Sequence, residues 1–150
     1  MQAQRQFFQS GITRDLEFRR RQLRKLREVL LDHEKEIYRA LHEDLRKPTF
    51  EAYVGEVGIL LEEAKHIERY LQAWARPKKV RLGMVHWPAG GRVTYEPYGL
   101  VLILSPWNYP FQLLLGPLLG AMAAGNCAVL KPSELAPASA DLIARLITEN

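Results

Sequence analysis

The sequence predicts an α/β fold in which N-terminal helices and a β-hairpin lead into a parallel βαβα unit. Three observations carry that prediction. Apolar residues recur every three or four positions through the first 75 residues, the mark of amphipathic helices. The period then changes in the segment MVHWPAGGRVTYEP, where a Pro-Ala-Gly-Gly turn separates two short runs. Finally, no charged side chain occurs from residue 97 to residue 130, although 25% of the chain is charged, and that stretch sets two brief apolar runs around a helical one.

In chain order, Thr13 is placed to cap a helix whose Leu16, Leu23, Leu26 and Leu30 keep to one stripe. Asp32 offers a break and a new cap before Ile37, Leu41 and Leu45, and Pro48 ends that second helix. Thr49 opens the clearest helix, with Phe50, Val54, Val57, Leu61, Ala64, Ile67, Leu71 and Trp74 spaced by threes and fours up to the stop near Pro77. The hairpin follows, its second strand read from the alternation over residues 92–96. The run GLVLILS at 99–105 is continuously apolar, which predicts a strand covered on both faces, and Pro106 closes it. Pro110 suits the first position of a helix that Gly125 and Asn126 terminate. CAVL at 127–130 is a second buried strand, and ADLIARLITEN a last helix. Strand, helix, strand, helix is the signature of a parallel crossover unit.

Length and composition set the outer bounds. A domain of 150 residues buries about 70% of its unfolded surface, so a packed core is expected. The net charge of +4 hints at nucleic acid, but residues 1–47 hold twelve Lys/Arg and eight Asp/Glu while residues 48–150 hold nine of each. The basic run at 19–27 reads as the solvated face of a helix, with no aromatic residue interleaved to stack on bases; binding to phosphates through it would be strongly salt-dependent. No nucleic-acid partner is expected. Residues 110–124 make a helix of roughly 22 Å at 1.5 Å per residue, short of the ~20 apolar residues that cross a bilayer, so no membrane span is expected. The N-terminus lacks the apolar run of a secretory signal, and one cysteine excludes an internal disulfide framework, which points to the cytoplasm.

The charge-free stretch is therefore a core, and its two ends are polar. Ligands of open α/β sheets bind beyond the carboxyl ends of the strands. The first strand ends in SPWNYP and the second in KPSE, so a parallel crossover brings Trp107, Asn108, Lys131 and Glu134 to one edge. Lys131 and Glu134 offer a donor and an acceptor suited to the vicinal hydroxyls of a ribose, or else a local salt bridge at a helix start. Asn108 offers an amide to a developing oxyanion, or else a cap for the helix at Pro110. Trp107 reads as a core wall or as a cofactor platform. No Gly-x-Gly-x-x-Gly follows the first strand. Cys127, in an apolar strand without a neighbouring cation, reads as a small buried hydrophobe.

The motifs PWNYPFQL, AMAAGN and VLKPSE at these separations resemble the aldehyde dehydrogenase superfamily, and EVGILLEEAKHIERYLQAWA with YEPYGLVLILSPWNYP is most similar to its class 3 branch. The resemblance implies a truncated Rossmann-like NAD(P)-binding domain. Residues 1–79 are then the helical part of the cofactor domain, 80–97 the hairpin of an oligomerisation element, and 98–150 the incomplete start of the sheet. It implies oxidation of an aldehyde through a cysteine thiohemiacetal, with Asn108 in the oxyanion hole. Leu104, Ser105, Pro106 and Trp107 would lie along the cofactor, and Lys131 and Glu134 would bind its adenosine ribose. The cofactor is NAD or NADP, and the Glu134 carboxylate, by repelling a 2′-phosphate, favours NAD. Class 3 likeness suggests medium-chain aliphatic or aromatic aldehydes and a homodimer in the full-length form. The nucleophilic cysteine, the general-base glutamate and the pyrophosphate loop fall after residue 150 in such proteins. The chain is thus expected to be an N-terminal fragment, inactive and poorly soluble alone; the alternative is a non-catalytic α/β interaction module derived from the same fold.

Overall fold

A computed structural model describes residues 2–150. Helix α1 (Gln2–Gln9) leads through a short 3-10 turn at Ile12–Arg14 into α2 (Leu16–Asp32). The cap of α2 is Asp15, whose Oδ1 accepts from the Glu17 N–H at 3.0 Å; Thr13, expected in that role, is instead buried in the preceding turn. A carboxylate suits the positive end of the helix dipole better than a hydroxyl. Leu23, Leu26, Val29 and Leu30 form the buried stripe of α2. The break falls at His33, one residue past Asp32, which caps nothing, and α3 (Glu34–Leu45) buries Ile37, Ala40 and Leu41.

The long third helix departs from the expected face in its first turns. It comprises α4 (Thr49–Ala52), a π turn at Tyr53–Val57, and α5 (Gly58–Trp74). The widened turn inserts one residue, so the apolar spacing counted from Phe50 loses phase. Phe50 and Val54 are 79% and 50% exposed while Ala52 and Glu56 face inward in their place; from Val57 onward the expected Val57, Ala64, Ile67 and Leu71 are buried, joined by Leu60, with Leu61 half-buried and Trp74 exposed. Gly58 permits the widening, because a Cβ there would stand 2.9 Å from the Tyr53 carbonyl oxygen.

Strands β1 (Lys78–Val80) and β2 (Gly91–Val93) pair antiparallel, Lys78 opposite Val93. The hairpin exists, but its first strand lies earlier than expected and its second is shorter. Met84–His86 forms a 3-10 turn inside the connection instead of a strand. Strand β3 (Leu100–Leu104) then runs parallel to β4 (Cys127–Lys131), in register from Leu100 opposite Cys127 to Leu104 opposite Lys131. Helix α6 (Gln112–Ala124) connects them and α7 (Pro137–Glu149) follows. Helix α6 starts two residues after Pro110 and stops at Gly125, which adopts φ 86°.

One core joins all of this. Leu23 and Leu30 of α2, Leu41 of α3, Leu60 and Ile67 of α5, Leu114 and Leu119 of α6 and Leu142 of α7 meet in it, with Val101, Ile103, Ala128 and Leu130 from one face of the sheet. The other face is not covered as its continuous apolar run predicted: Leu102 and Leu104 are 63% and 64% exposed. Among the described residues no helix is long and apolar enough to cross a membrane.

Candidate functional site

The parallel register builds the site. Leu104 and Lys131 end their strands side by side, and the pairing continues one step further through the Ser105 N–H, which donates to the Lys131 carbonyl at 3.1 Å. Both polar clusters therefore leave the sheet at the same edge. Ser105 is buried there, its hydroxyl donating to the Pro106 carbonyl at 3.0 Å, while Pro106, Trp107 and Asn108 are exposed. Trp107 is half in solvent and so is not a core wall.

What holds the Trp-Asn-Tyr-Pro turn is a buried ion pair that the sequence reading did not anticipate. Lys47, 7% exposed, sits between α3 and α4, and Glu56, fully buried, lies in the π turn; Nζ and Oε1 are 2.6 Å apart. The same ammonium donates to the Asn108 carbonyl oxygen at 2.8 Å and lies 3.7 Å from the centre of the Tyr109 ring. The other Glu56 oxygen accepts from the N–H groups of Phe111 and Gln112 at 2.9 and 3.3 Å. Glu56 is thus the cap of α6. Asn108 is not, and its side-chain amide makes no hydrogen bond to the described residues. Burial pushes the Glu56 carboxyl above the usual carboxylate range, and the hydrogen bonds from Lys47, Phe111 and Gln112 offset only part of that. The signal in the sequence was an acidic residue among Ala52, Val57 and Leu60, hidden by the assumption of an unbroken helical period.

At the second strand end, Lys131 Nζ and Glu134 Oε2 are 2.5 Å apart, both side chains largely exposed. The Lys131 hydrogen bond, with one from the backbone, holds the Glu134 carboxyl below its ordinary range. A hydroxyl ligand at this edge would compete with a pairing that the two side chains already make. A second unanticipated carboxylate lies just behind: Asp44 of α3 accepts from the Ala138 and Ser139 N–H groups at 3.1 and 2.8 Å, capping α7.

These two caps limit the chemistry of the edge. The start of a helix after a strand is where α/β folds usually bind phosphate, but here the donors of α6 and α7 are already spent on Glu56 and Asp44. The rim can therefore accept hydroxyls and an aromatic or carbonyl group, and it repels phosphate at both helix starts.

Cys127 stands at the other end of β4, about 13 Å away at 3.3 Å per residue, with its thiol pushed up by burial. A cavity of about 720 Å³ lies near the far end of α6 between Trp74, Tyr95 and Ala123 and touches none of the expected site residues. Among the described residues no group of three or more His, Cys, Asp or Glu could hold a metal ion.

Comparison with known proteins finds relatives along nearly the whole chain. Aldehyde dehydrogenase family member 3H1 of Arabidopsis thaliana is 44% identical over 145 residues, 97% of this chain and 30% of that protein. The solved structure of Staphylococcus aureus AldH in a substrate-bound state superimposes with a TM-score of 0.96 at 44% identity, covering 97% of this chain and 32% of that one. A mutant of aldehyde dehydrogenase C from Pseudomonas syringae, solved with NAD+ and octanal, gives a TM-score of 0.78 at 27% identity over 98% of this chain and 29% of that one. The chain spans 30–31% of the length of such curated relatives. The model of the aldehyde dehydrogenase family matches residues 1–150, and the chain belongs to that family.

Proposed function

We propose that this chain is the N-terminal part of an NAD(P)-dependent aldehyde dehydrogenase that oxidises an aldehyde to a carboxylic acid. The observation that supports the reading is the parallel register that ends at Leu104 and Lys131, since it brings Asn108 and the Lys131–Glu134 pair out at one rim. The nicotinamide cofactor, when bound, accepts the hydride. Lys131 would donate to a ribose hydroxyl and Glu134 accept from one, each surrendering part of their mutual salt bridge. Leu104, Ser105, Pro106 and Trp107 would form the wall along which the cofactor lies. The phosphate linkage has no place at the starts of α6 and α7, so its donors come from elsewhere in the protein. Glu134, held ionised, would repel a 2′-phosphate and favour NAD.

The nucleophilic thiol is assigned outside these 150 residues, because Cys127 is on the wrong edge and poorly ionised. When such a thiolate adds to the carbonyl carbon, the C=O π pair moves onto oxygen, and the Asn108 amide N–H donates to that oxyanion. Hydride departure restores a C=O bond as thioester, and water addition places charge on the same oxygen again, so Asn108 serves both stages. A cytoplasmic homodimer completes the proposal. The exposed Met84, Val85 and Trp87 of the β1–β2 connection offer apolar surface to a second copy, and a lone cysteine suits a reducing compartment.

The decisive experiment is Asn108→Ala in the complete polypeptide carrying this segment. Loss of one oxyanion donor costs about 2.7–4 kcal/mol, so kcat for aldehyde oxidation falls by roughly 10²–10³ with cofactor affinity little changed. Unchanged turnover would remove Asn108 from the oxyanion role.

A further inference from the structure

Residues 108–112 are held at four points by two side chains that are remote in sequence. Lys47 takes the Asn108 carbonyl and lies over the Tyr109 ring; Glu56 takes the Phe111 and Gln112 N–H groups. Lys47 Nζ makes two hydrogen bonds and a ring contact, and both Glu56 oxygens accept hydrogen bonds. An apolar pair of similar volume would be about as stable as a buried ion pair, yet it could hold neither a carbonyl oxygen nor two N–H groups. The charges therefore cap α6 as well as pairing with each other. Their distinctive consequence is positional: the backbone on either side of the Asn108 amide is pinned to the α3–α4 junction and the π turn, while the amide itself is left exposed at the rim.

We propose that Lys47 and Glu56 are positioning residues for the oxyanion hole, clamping the Trp-Asn-Tyr-Pro turn so that the Asn108 amide is held where the substrate oxygen develops charge. The π turn is part of the device. It turns Glu56 inward, and Gly55 within it leaves room for the Tyr109 ring, since a Cβ there would stand 3.0 Å from Tyr109 Cε1. The inference rests on the oxyanion role of Asn108 and adds the machinery that sets its position. Misplacing a reacting group by about 1 Å costs about a hundredfold in rate, so release of the clamp is read in kcat and not in cofactor affinity.

The test is a double-mutant cycle in the complete polypeptide. Lys47→Met with Glu56→Gln removes both charges together, avoiding an unpaired buried ion, and leaves a Gln carbonyl for the two N–H groups. The expected result is a fall in kcat of at least about tenfold with KM for NAD+ within about twofold, and an effect below about twofold when the same changes are made on Asn108→Ala, because clamp and amide act as one unit. A purely structural role predicts equal losses in both backgrounds, and that outcome overturns the proposal. Gly55→Ala covers the case in which the charge variant fails to fold. It moves only the Tyr109 ring by a few tenths of an ångström, and is expected to lower kcat about threefold or more, again without effect on Asn108→Ala. Unaltered turnover in Gly55→Ala would overturn the clamp. If Asn108→Ala itself is fully active, the oxyanion reading and the clamp fall together; if it is impaired but the cycle shows no coupling, the clamp falls alone.

Discussion

Asp44→Ala tests whether the two helix starts at the rim are closed by the chain's own carboxylates. Asp44 accepts from the Ala138 and Ser139 N–H groups at 3.1 and 2.8 Å, and Ser139 is fully buried, so water has poor access to that donor once the carboxylate is gone. Losing an N-cap costs about 0.5–2 kcal/mol, and leaving a buried donor unmet costs about 1–3 kcal/mol; together they put the local cost near 2 kcal/mol. At about 1.36 kcal/mol per tenfold, hydrogen exchange across the first turn of α7 should accelerate by about 30-fold, measured by mass spectrometry on the complete polypeptide. Asp44→Asn keeps one carbonyl acceptor and should lose about half of that. The vacated helix start should also become an anion site. Sulfate at ten times its Kd would then restore about 1.4 kcal/mol to Asp44→Ala and nothing to the parent. Exchange within about threefold of the parent, or equal protection of both proteins by sulfate, would refute the argument that these helix starts are closed to phosphate.

Other outcomes follow from the same geometry. Glu134→Gln should raise the use of NADP relative to NAD, because it removes the ionised carboxylate from the ribose site; steady-state kinetics with both cofactors would show it, and an unaltered ratio counts against the assignment. The Cys127 thiol, shifted upward by burial, holds less thiolate at any given pH than free cysteine. Its alkylation by iodoacetamide at pH 8 should be slower than that of the free amino acid and keep rising at higher pH; rapid labelling at pH 7 would contradict this. Residues 1–150 expressed alone should be poorly soluble, since β3 presents Leu102 and Leu104 on an open face beside an unpaired edge. A soluble monomer with sharp, cooperative thermal unfolding would argue otherwise.

Much of the rim was legible because its causes are local in sequence. Pro106 and the Gly125-Asn126 pair punctuate the crossover, strand runs alternate with a helical one, and parallel pairing then obliges SPWNYP and KPSE to leave the sheet together. The positions that failed did so where a non-local contact decided the outcome. Asp15 displaced Thr13 as a cap, and the strand expected at 84–87 moved to Lys78–Val80 because pairing partners, not propensity, select a short strand. The apolar run of β3 implied cover on two faces, but burial depends on which layers meet it, and here one face is met.

The sequence by itself determined the order of elements, the uncharged core and the edge where Asn108, Lys131 and Glu134 emerge, since each follows from side-chain period and chain punctuation. Only the tertiary structure decided that Glu56 and Asp44 close the two helix starts and that Lys47 grips the Asn108 carbonyl. Those contacts join residues 55, 94 and 61 positions apart. Whether such charges are partners at all depends on packing, and on one inserted residue in a π turn that no periodic count from Phe50 would include.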